Sequence, residues 1–119
     1  MRLVSIIIPT YNGLHLLKDC VNSIRSHTHT PYEIIVVDDG SVDGTLEYCR
    51  RERLICISHW RNAGFPAACN AGLRIASGDA LLLLNNDVLV HRQWLSNMMN
   101  CLYSGENIGI VGPMTNYGS

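Results

Sequence analysis

A run of four leucines at residues 81–84 constrains the fold of this chain more than any other stretch. An uninterrupted apolar run of this length, bounded by turn residues, is typical of a strand buried on both faces of a parallel sheet. The run is followed at once by Asn85, Asn86 and Asp87, whose burial costs free energy unless they meet water, a metal or a ligand. Because ligands bind at the carboxyl ends of strands in open α/β sheets, we predict that these three residues form the floor of a site.

The remaining apolar segments predict an alternation of strands and helices around that strand. Strands are predicted at residues 4–9, 33–38, 54–58 and 108–113, amphipathic helices at 14–26, 46–52 and 93–103, and a small-residue segment at 65–76. Short connections between alternating strands and helices favour right-handed crossovers and a parallel, doubly wound sheet. We therefore predict an α/β, Rossmann-like fold, with helices on both faces of a mostly parallel sheet, over residues 1–119 as one domain.

Composition and charge exclude several other classes of protein. The net charge of −1 provides no basic field for nucleic acid, and the apolar runs are far shorter than the roughly 20 residues that span a bilayer. The five cysteines are scattered and form no CxxC pair, which favours reduced core thiols over disulfides or a zinc site. We expect a cytoplasmic chain with no nucleic-acid partner and no transmembrane segment.

Polar residues at four predicted strand ends should share one rim of the sheet. They are Thr10 and Tyr11, Asp38 and Asp39, Arg61 and Asn62, and Asn86 and Asp87. The chain has neither the GxGxxG nor the GxxxxGK[ST] pattern, which excludes the dinucleotide and P-loop phosphate cradles. A strand-end carboxylate can instead hold Mg²⁺ or Mn²⁺ while waters and diphosphate oxygens supply the other ligands. The set fits a nucleotide-diphosphate site, in which Asp39 accepts hydrogen bonds from the base or ribose and Tyr11 stacks on the base.

Each of these residues also has a purely structural interpretation. Residues 38–40 are compatible with a simple turn that contains a helix-capping aspartate, and residues 85–87 with an ordinary exit from a strand. We expect Asp38 to be structural, bonded to nearby loop amides, and Asp39 to be the functional member of the pair. Arg61 fits a phosphate contact and a cover for the sheet edge equally well. The joint placement of the strand ends favours a site.

Four motifs, taken together, resemble the family 2 glycosyltransferases of the GT-A fold. They are IIIPTYN at residues 6–12, IVVDDGS at 35–41 with DGT at 43–45, NAGF at 62–65 with NAG at 70–72, and LLNNDV at 83–88. The resemblance extends over the whole chain in the family's order and spacing. It implies a GT-A fold, of which this chain would be the N-terminal nucleotide-sugar-binding part.

The resemblance also implies roles for the residues that match the motifs. Pro9, Thr10 and Tyr11 of the first motif, together with Asp39, would hold the nucleobase and ribose. Arg61, Asn62 and Asn86 would complete the contacts with the donor.

The metal-binding motif of the family, usually written DxD, corresponds to residues 85–87. Asp87 matches its final aspartate, whereas Asn85 replaces the first, so that Mg²⁺ or Mn²⁺ would bind more weakly or through Asp87 alone. Cys69 stands where many members have an arginine, which removes one possible phosphate contact.

The activity that the resemblance implies is inverting transfer of a sugar from a nucleotide-diphosphate sugar to a saccharide or lipid-linked acceptor, in cell-wall or surface polysaccharide synthesis. In this family the general base is an Asp or Glu well beyond the metal motif. The sequence ends at Ser119, before such a segment, so no catalytic residue is assigned. We expect the chain alone to bind the donor without completing transfer.

Two other functions stay open at this stage. One is a non-catalytic module that binds a nucleotide sugar. The other is a sugar nucleotidyltransferase, which is less favoured because residues 9–13 lack a glycine-rich basic loop. An incomplete domain should expose apolar surface, which suggests a homo-oligomer. A peripheral position at the inner membrane face is the alternative to a purely cytoplasmic location.

Overall fold

The computed structural model describes residues 3–58, 74–78, 80–97 and 110–111. Its elements, in chain order, are β1 (Val4–Thr10), α1 (Leu14–His27), β2 (Tyr32–Asp38), α2 (Thr45–Arg51), β3 (Ile55–Ser58), β4 (Ala80–Leu83) and β5 (Ile110–Val111). Residues 74–75 and 94–97 are also helical. Ala76 and Gln93 are described and are not helical, and the rest of the predicted segments at 65–76, 93–103 and 108–113, apart from β5, lies outside the described residues.

The five described strands form one parallel sheet in the order β3-β2-β1-β4-β5. The chain first winds outward from β1 through β2 to β3, and then crosses back to place β4 on the other side of β1. This reversal confirms the predicted doubly wound arrangement, and it makes the gap between the carboxyl ends of β1 and β4 the topological switch point of the sheet.

The alternation of side chains along the strands divides the core between two faces. Ile6, Ile8 and Leu82 point into the larger cluster, where they pack with the buried face of α1. That face consists of Leu17, Cys20, Val21 and Ile24, the four apolar positions that the helical period predicts. The smaller cluster, on the opposite face, contains Ile7, Ile35 and Val37.

The leucine run is a strand, as predicted, but its two faces are buried unequally. Leu82 and Leu84 are fully buried, whereas Leu81 and Leu83 are half-buried. Burial of a leucine side chain contributes about 2 kcal/mol, so the strand is anchored mainly through the face that meets α1.

Strand β1 continues one residue beyond Pro9, where the sequence predicts its end. Ile7 O accepts a hydrogen bond from Leu84 N–H, so the odd-numbered residues of β1 direct their backbone groups towards β4. The pairing of β1 with β4 stops at Ile7 and Leu83, and the missing N–H of Pro9 therefore faces a position where no ladder bond is made. Pairing with β2 is unaffected and runs on to Thr10 and Asp38.

The described cysteines are free thiols. Cys20 and Cys49 are buried, as predicted for core thiols, and Cys56 is half-buried, whereas Cys69 and Cys101 lie outside the described residues. No helix in the described segments is both long and apolar enough to cross a membrane.

Candidate functional site at the switch point

A side-chain hydrogen bond joins the two strand ends at the switch point. Thr10 is the last residue of β1 and is buried, and Asn86 lies three residues beyond β4. The amide Nδ2 of Asn86 donates to Thr10 Oγ1 over 2.9 Å, across 76 positions of sequence. The crevice in which an open α/β sheet binds its ligand is therefore bridged at its floor by these two residues.

Asn12 joins the loop that follows β1 to the loop that follows β2 by hydrogen bonds. Its backbone N–H donates to Ser41 Oγ over 2.7 Å, and its own Oδ1 accepts from Val42 N–H over 2.8 Å. Asn12 adopts the left-handed conformation with φ of 50°, which asparagine tolerates better than most residues. A backbone hydrogen bond from Asp39 N–H to Thr10 O, 3.0 Å long, joins the carboxyl ends of β1 and β2 next to these loops.

Asp43 caps two helices at once. Together with Asn12 it forms a set of hydrogen bonds between the loops after β1 and β2, which we call the clasp. Its Oδ2 accepts the N–H of Leu14 at the start of α1 over 3.0 Å, and its Oδ1 accepts the N–H and hydroxyl of Thr45 at the start of α2. The residues at the N-cap positions, Gly13 and Gly44, have no side chain that could do so. Burial raises the pKa of Asp43, but these hydrogen bonds outweigh it and leave the pKa below its usual value. The clasp therefore contains an ionised carboxylate at neutral pH.

The two adjacent aspartates differ in their surroundings. Asp38 is fully buried, and its Oδ1 accepts the N–H of Ser41 over 3.1 Å, which is the predicted bond to a loop amide. Its Oδ2 is buried without a hydrogen-bond partner in the described part of the chain. Asp39 is 4% exposed and follows directly at the carboxyl end of β2.

The segment that matches the metal motif is a turn that follows β4 at the carboxyl edge of the sheet. Val88 N–H donates to Asn85 O over 3.2 Å, and this bond closes the turn. Asn85 and Asn86 are half-buried, whereas Asp87 is exposed. Within the described ranges, no group of three His, Cys, Asp or Glu side chains could hold a metal by itself. A cation here would need oxygen ligands from outside those residues.

The metal-motif turn rests on helix α1. The thiol of Cys20 lies 3.9 Å from Asn85 O, and burial, with a smaller contribution from the charge of Asp87, raises the pKa of this thiol to about 12. Cys20 is therefore a neutral packing residue under the motif. Val90 N–H donates to Ser23 Oγ, and the buried indole of Trp94 donates to Thr28 Oγ1 over 2.9 Å. These contacts hold the segment after β4 against α1.

Two apolar side chains are exposed beside the crevice. Tyr11 is 50% exposed, and Val42 is 89% exposed in the neighbouring loop. Exposed aromatic surface next to a polar crevice is suited to stacking on a flat ligand.

The structure brings together most of the residues predicted for the site. Two others are not among the described residues. Thr10 and Asn86 are in contact, Tyr11 and Asp39 lie at the same two strand ends, and Asn85 and Asp87 flank Asn86 in the turn. Pro9 lies within β1 and is half-buried. Arg61 and Asn62 lie outside the described residues.

Sequence analysis missed the residues that hold the site together. Asn12 and Asp43 lie within the motifs at residues 6–12 and 43–45, and neither was given a role in joining the two loops. A signal was present, since an asparagine in the turn after a strand tolerates positive φ and bonds to nearby backbone groups. The partners of Asn12 are 29 and 30 residues away, and local sequence does not identify them.

Comparison with known proteins supports the same family as the motifs. The profile of the family described as Glycosyl transferase family 2 matches residues 5–119. Glycosyltransferase AglE of Haloferax volcanii is 36% identical over 116 residues, which cover 92% of this chain and 38% of AglE. Glycosyltransferase GlyG of Streptococcus pneumoniae is 29% identical over 121 residues, which cover 98% of this chain and 40% of GlyG. The chain thus spans about two fifths of the length of these relatives.

Solved structures with the same architecture are also glycosyltransferases or bind nucleotide sugars. S. aureus TarS 1-349 in complex with UDP-GlcNAc superposes with a TM-score of 0.76 and 28% identity, over 87% of this chain and 32% of TarS 1-349. The mannosyltransferase PcManGT of Pyrobaculum calidifontis, in complex with GDP-Man and Mn²⁺, gives a TM-score of 0.78 and 29% identity, over 83% of this chain and 32% of PcManGT. The architecture is that of the GT-A fold. With the profile matching almost the whole chain, this protein belongs to glycosyl transferase family 2.

Proposed function

We propose that the protein carrying this chain transfers a sugar from a nucleotide-diphosphate sugar to a saccharide or lipid-linked acceptor, with inversion at the anomeric carbon, in the synthesis of cell-wall or surface polysaccharide. The observation that carries the proposal is the arrangement at the switch point. There the exposed Tyr11 and Asp87 directly follow Thr10 and Asn86, whose hydrogen bond joins the chain at the carboxyl ends of β1 and β4. Family membership supports the reaction class.

The nucleoside would occupy the side of the crevice formed by β1 and β2. Asp39 would accept hydrogen bonds from the base or ribose, and Tyr11 would stack on the base. Pro9 and Thr10 would line the floor beneath the nucleoside. Arg61 and Asn62 are proposed as further donor contacts from their motif.

The diphosphate would lie on the side formed by the turn after β4. Asn85 and Asp87 offer an amide oxygen and an exposed carboxylate, and Asn86 lines the crevice between this turn and β1. Oxygen ligands of this kind suit Mg²⁺ or Mn²⁺ when diphosphate oxygens and waters supply the remaining positions. The residues present therefore fit a cation that arrives with the donor.

The bound cation would neutralise negative charge that develops on the departing diphosphate. The chain's own residues would orient the donor, with the neutral Cys20 thiol packed beneath the motif. Proton removal from the acceptor hydroxyl needs a general base, and we assign that role to none of the residues of this chain. We propose that residues 1–119 bind the sugar donor.

A panel of nucleotide sugars tests this function. The full-length protein is incubated with UDP-, GDP- and dTDP-sugars and Mn²⁺, and the release of nucleoside diphosphate is measured together with acceptor glycosylation. UDP-GlcNAc and GDP-Man are the first donors to test, because structural neighbours bind them. Release of nucleoside diphosphate with product formation would support the proposal. Binding without turnover would favour a non-catalytic module, and release of pyrophosphate from a sugar phosphate and a nucleoside triphosphate would favour a nucleotidyltransferase.

A further inference from the structure

The Thr10–Asn86 hydrogen bond joins the two strand ends that carry Tyr11 and Asp87, the exposed residues of the proposed donor site. Thr10 immediately precedes Tyr11, and Asn86 immediately precedes Asp87. Any change in the distance between Thr10 and Asn86 is therefore passed to Tyr11 and Asp87 through one peptide unit on each side. The bond is made by side chains, so it adds a constraint to the sheet ladder, which ends at Ile7 and Leu83.

Gly13 provides the space that this bond needs. A Cβ atom at position 13 would overlap Asn86 Nδ2 and lie 3.5 Å from Thr10 Oγ1. The φ of Gly13 is −119°, a value open to any residue, so a side chain here is opposed by the amide of Asn86 in its bonded position and not by backbone conformation. Because Gly13 directly precedes α1, the end of β1, the start of α1 and the turn after β4 all meet at the amide of Asn86.

We infer that Thr10, Asn86 and Gly13 form a latch that holds the nucleoside half and the metal half of the donor site at a fixed separation. Asn86 is then a positioning residue, which acts through Thr10 on the placement of Asp87. This inference rests on the proposed function, since it concerns the same donor site. A nucleoside diphosphate and a cation bound to its phosphates strengthen each other's binding only when the two halves of the site are correctly spaced. The latch should therefore control the coupling between nucleotide binding and metal binding.

A purely structural role for the latch predicts a different result. In that case, breaking the bond lowers stability, and the factor by which Mn²⁺ improves nucleotide binding does not change. The coupling factor is the ratio of the nucleotide Kd without Mn²⁺ to the Kd with Mn²⁺. It cancels any direct contact between Thr10 and the nucleoside, because that contact contributes to both dissociation constants.

The test compares Thr10→Val with Thr10→Ser in the full-length protein. Valine keeps the shape of threonine and removes the acceptor, whereas serine keeps the hydroxyl. Calorimetric titration with UDP, GDP and dTDP, with and without Mn²⁺, gives the coupling factor for each variant. We expect Thr10→Val to lower the factor about fivefold, as for one lost neutral hydrogen bond, and Thr10→Ser to restore most of it. A factor in Thr10→Val equal to that of the unaltered protein would overturn the latch alone.

A double-mutant cycle, measured by melting temperature, tests the contact between Gly13 and Asn86. Gly13→Ala, Asn86→Ala and the double variant are compared with the unaltered protein. We expect Gly13→Ala to lower the melting temperature less in the Asn86→Ala background than in the unaltered protein, since the clashing amide is then gone. Equal effects in both backgrounds would overturn the latch geometry. Absence of any Mn²⁺ enhancement in the unaltered protein would instead overturn the proposed donor site, and with it the role of the latch.

Discussion

The two edges of the sheet carry similar polar residues and use them differently. At the amino edge, Glu33 accepts hydrogen bonds from the hydroxyls of Ser5 and Ser77 and from the backbone N–H of Ser77. Gly78 N–H donates to the same Ser5 hydroxyl. At the carboxyl edge, Asp87 is exposed and accepts no hydrogen bond from another described residue.

This difference separates a structural carboxylate from a candidate ligand. The bonds of Glu33 tie β1, β2 and the entry to β4 together, so its charge is already satisfied by the protein. A carboxylate at a strand end that the fold leaves exposed, beside an exposed aromatic ring, is available to a cation or a ligand. The comparison therefore predicts that changes at the amino edge alter stability, and that changes at the carboxyl edge alter binding.

The largest effect is expected from Gly78→Ala at the amino edge. A Cβ atom there would lie 2.7 Å from the backbone nitrogen of Ser5 and 2.8 Å from the backbone oxygen of Leu3, neither of which can move without shifting β1. We expect a loss of about 3 kcal/mol in the free energy of unfolding. Urea denaturation measures it. Ser77→Ala is the control, with an expected loss of about 1 kcal/mol because the backbone bond to Glu33 remains. A Gly78→Ala protein as stable as this control would show that the edge is loosely packed.

A smaller loss of stability is expected from Glu33→Gln. The substitution keeps the shape and removes the charge that strengthens three of the hydrogen bonds at this edge, so we expect a loss of about 2 kcal/mol. Ser5 is fully buried, and it must then share its hydroxyl with a neutral amide. A loss below about 0.5 kcal/mol would mean that the charge of Glu33 adds nothing to these bonds.

The stability difference between the unaltered protein and Glu33→Gln should also depend on pH, and the sign of that dependence follows from the pKa of Glu33. Burial raises the pKa of Glu33, but the hydrogen bonds from Ser5 and Ser77 outweigh it and hold the pKa below its usual value. The contribution to stability is therefore complete above the unfolded-state pKa of about 4, and it is lost as the pH falls through the lower folded-state pKa. We expect the difference in stability between the unaltered protein and Glu33→Gln to shrink as the pH falls below about 4. A difference that stays constant over this range would contradict the assignment.

The smallest effect on stability is expected at the carboxyl edge, from Tyr11→Ala. The ring is 50% exposed, so its loss should change the free energy of unfolding by less than about 0.5 kcal/mol. Affinity for a nucleoside diphosphate should fall about tenfold, because stacking on a base is lost. Tyr11→Phe keeps the ring and is expected to bind nearly as well. Equal affinities in Tyr11→Ala and Tyr11→Phe would show that the ring does not contact the base.

The features that sequence predicts well in this chain are local. The buried face of α1 follows from apolar residues at helical spacing, and the strands follow from continuous apolar runs. The sharing of one rim by Thr10, Asp38 and Asn86 follows from the parallel order of the strands. The end of β1 was misplaced by one residue, because the effect of Pro9 depends on which neighbour its missing N–H faces.

The features that sequence does not predict are those that depend on register between distant segments. Asn86 meets Thr10 from 76 residues away, and Ser77 meets Glu33 from 44 residues away. The space for a side chain at position 13 is taken by Asn86 and at position 78 by Ser5 and Leu3, and neither glycine has a positive φ. Such contacts are fixed by the way that β4 pairs with β1, which no single segment determines.

One measurement tests the contrast between the two edges most directly. Asp87→Asn and Glu33→Gln each neutralise one carboxylate with almost no change of shape, and both are titrated with a nucleoside diphosphate in the presence and absence of Mn²⁺. We predict that Asp87→Asn loses about 10- to 100-fold in Mn²⁺-dependent affinity at unchanged stability, and that Glu33→Gln loses stability at unchanged affinity. Full Mn²⁺-dependent binding by Asp87→Asn would contradict the central claim that the exposed carboxylate at the switch point holds the metal and donor.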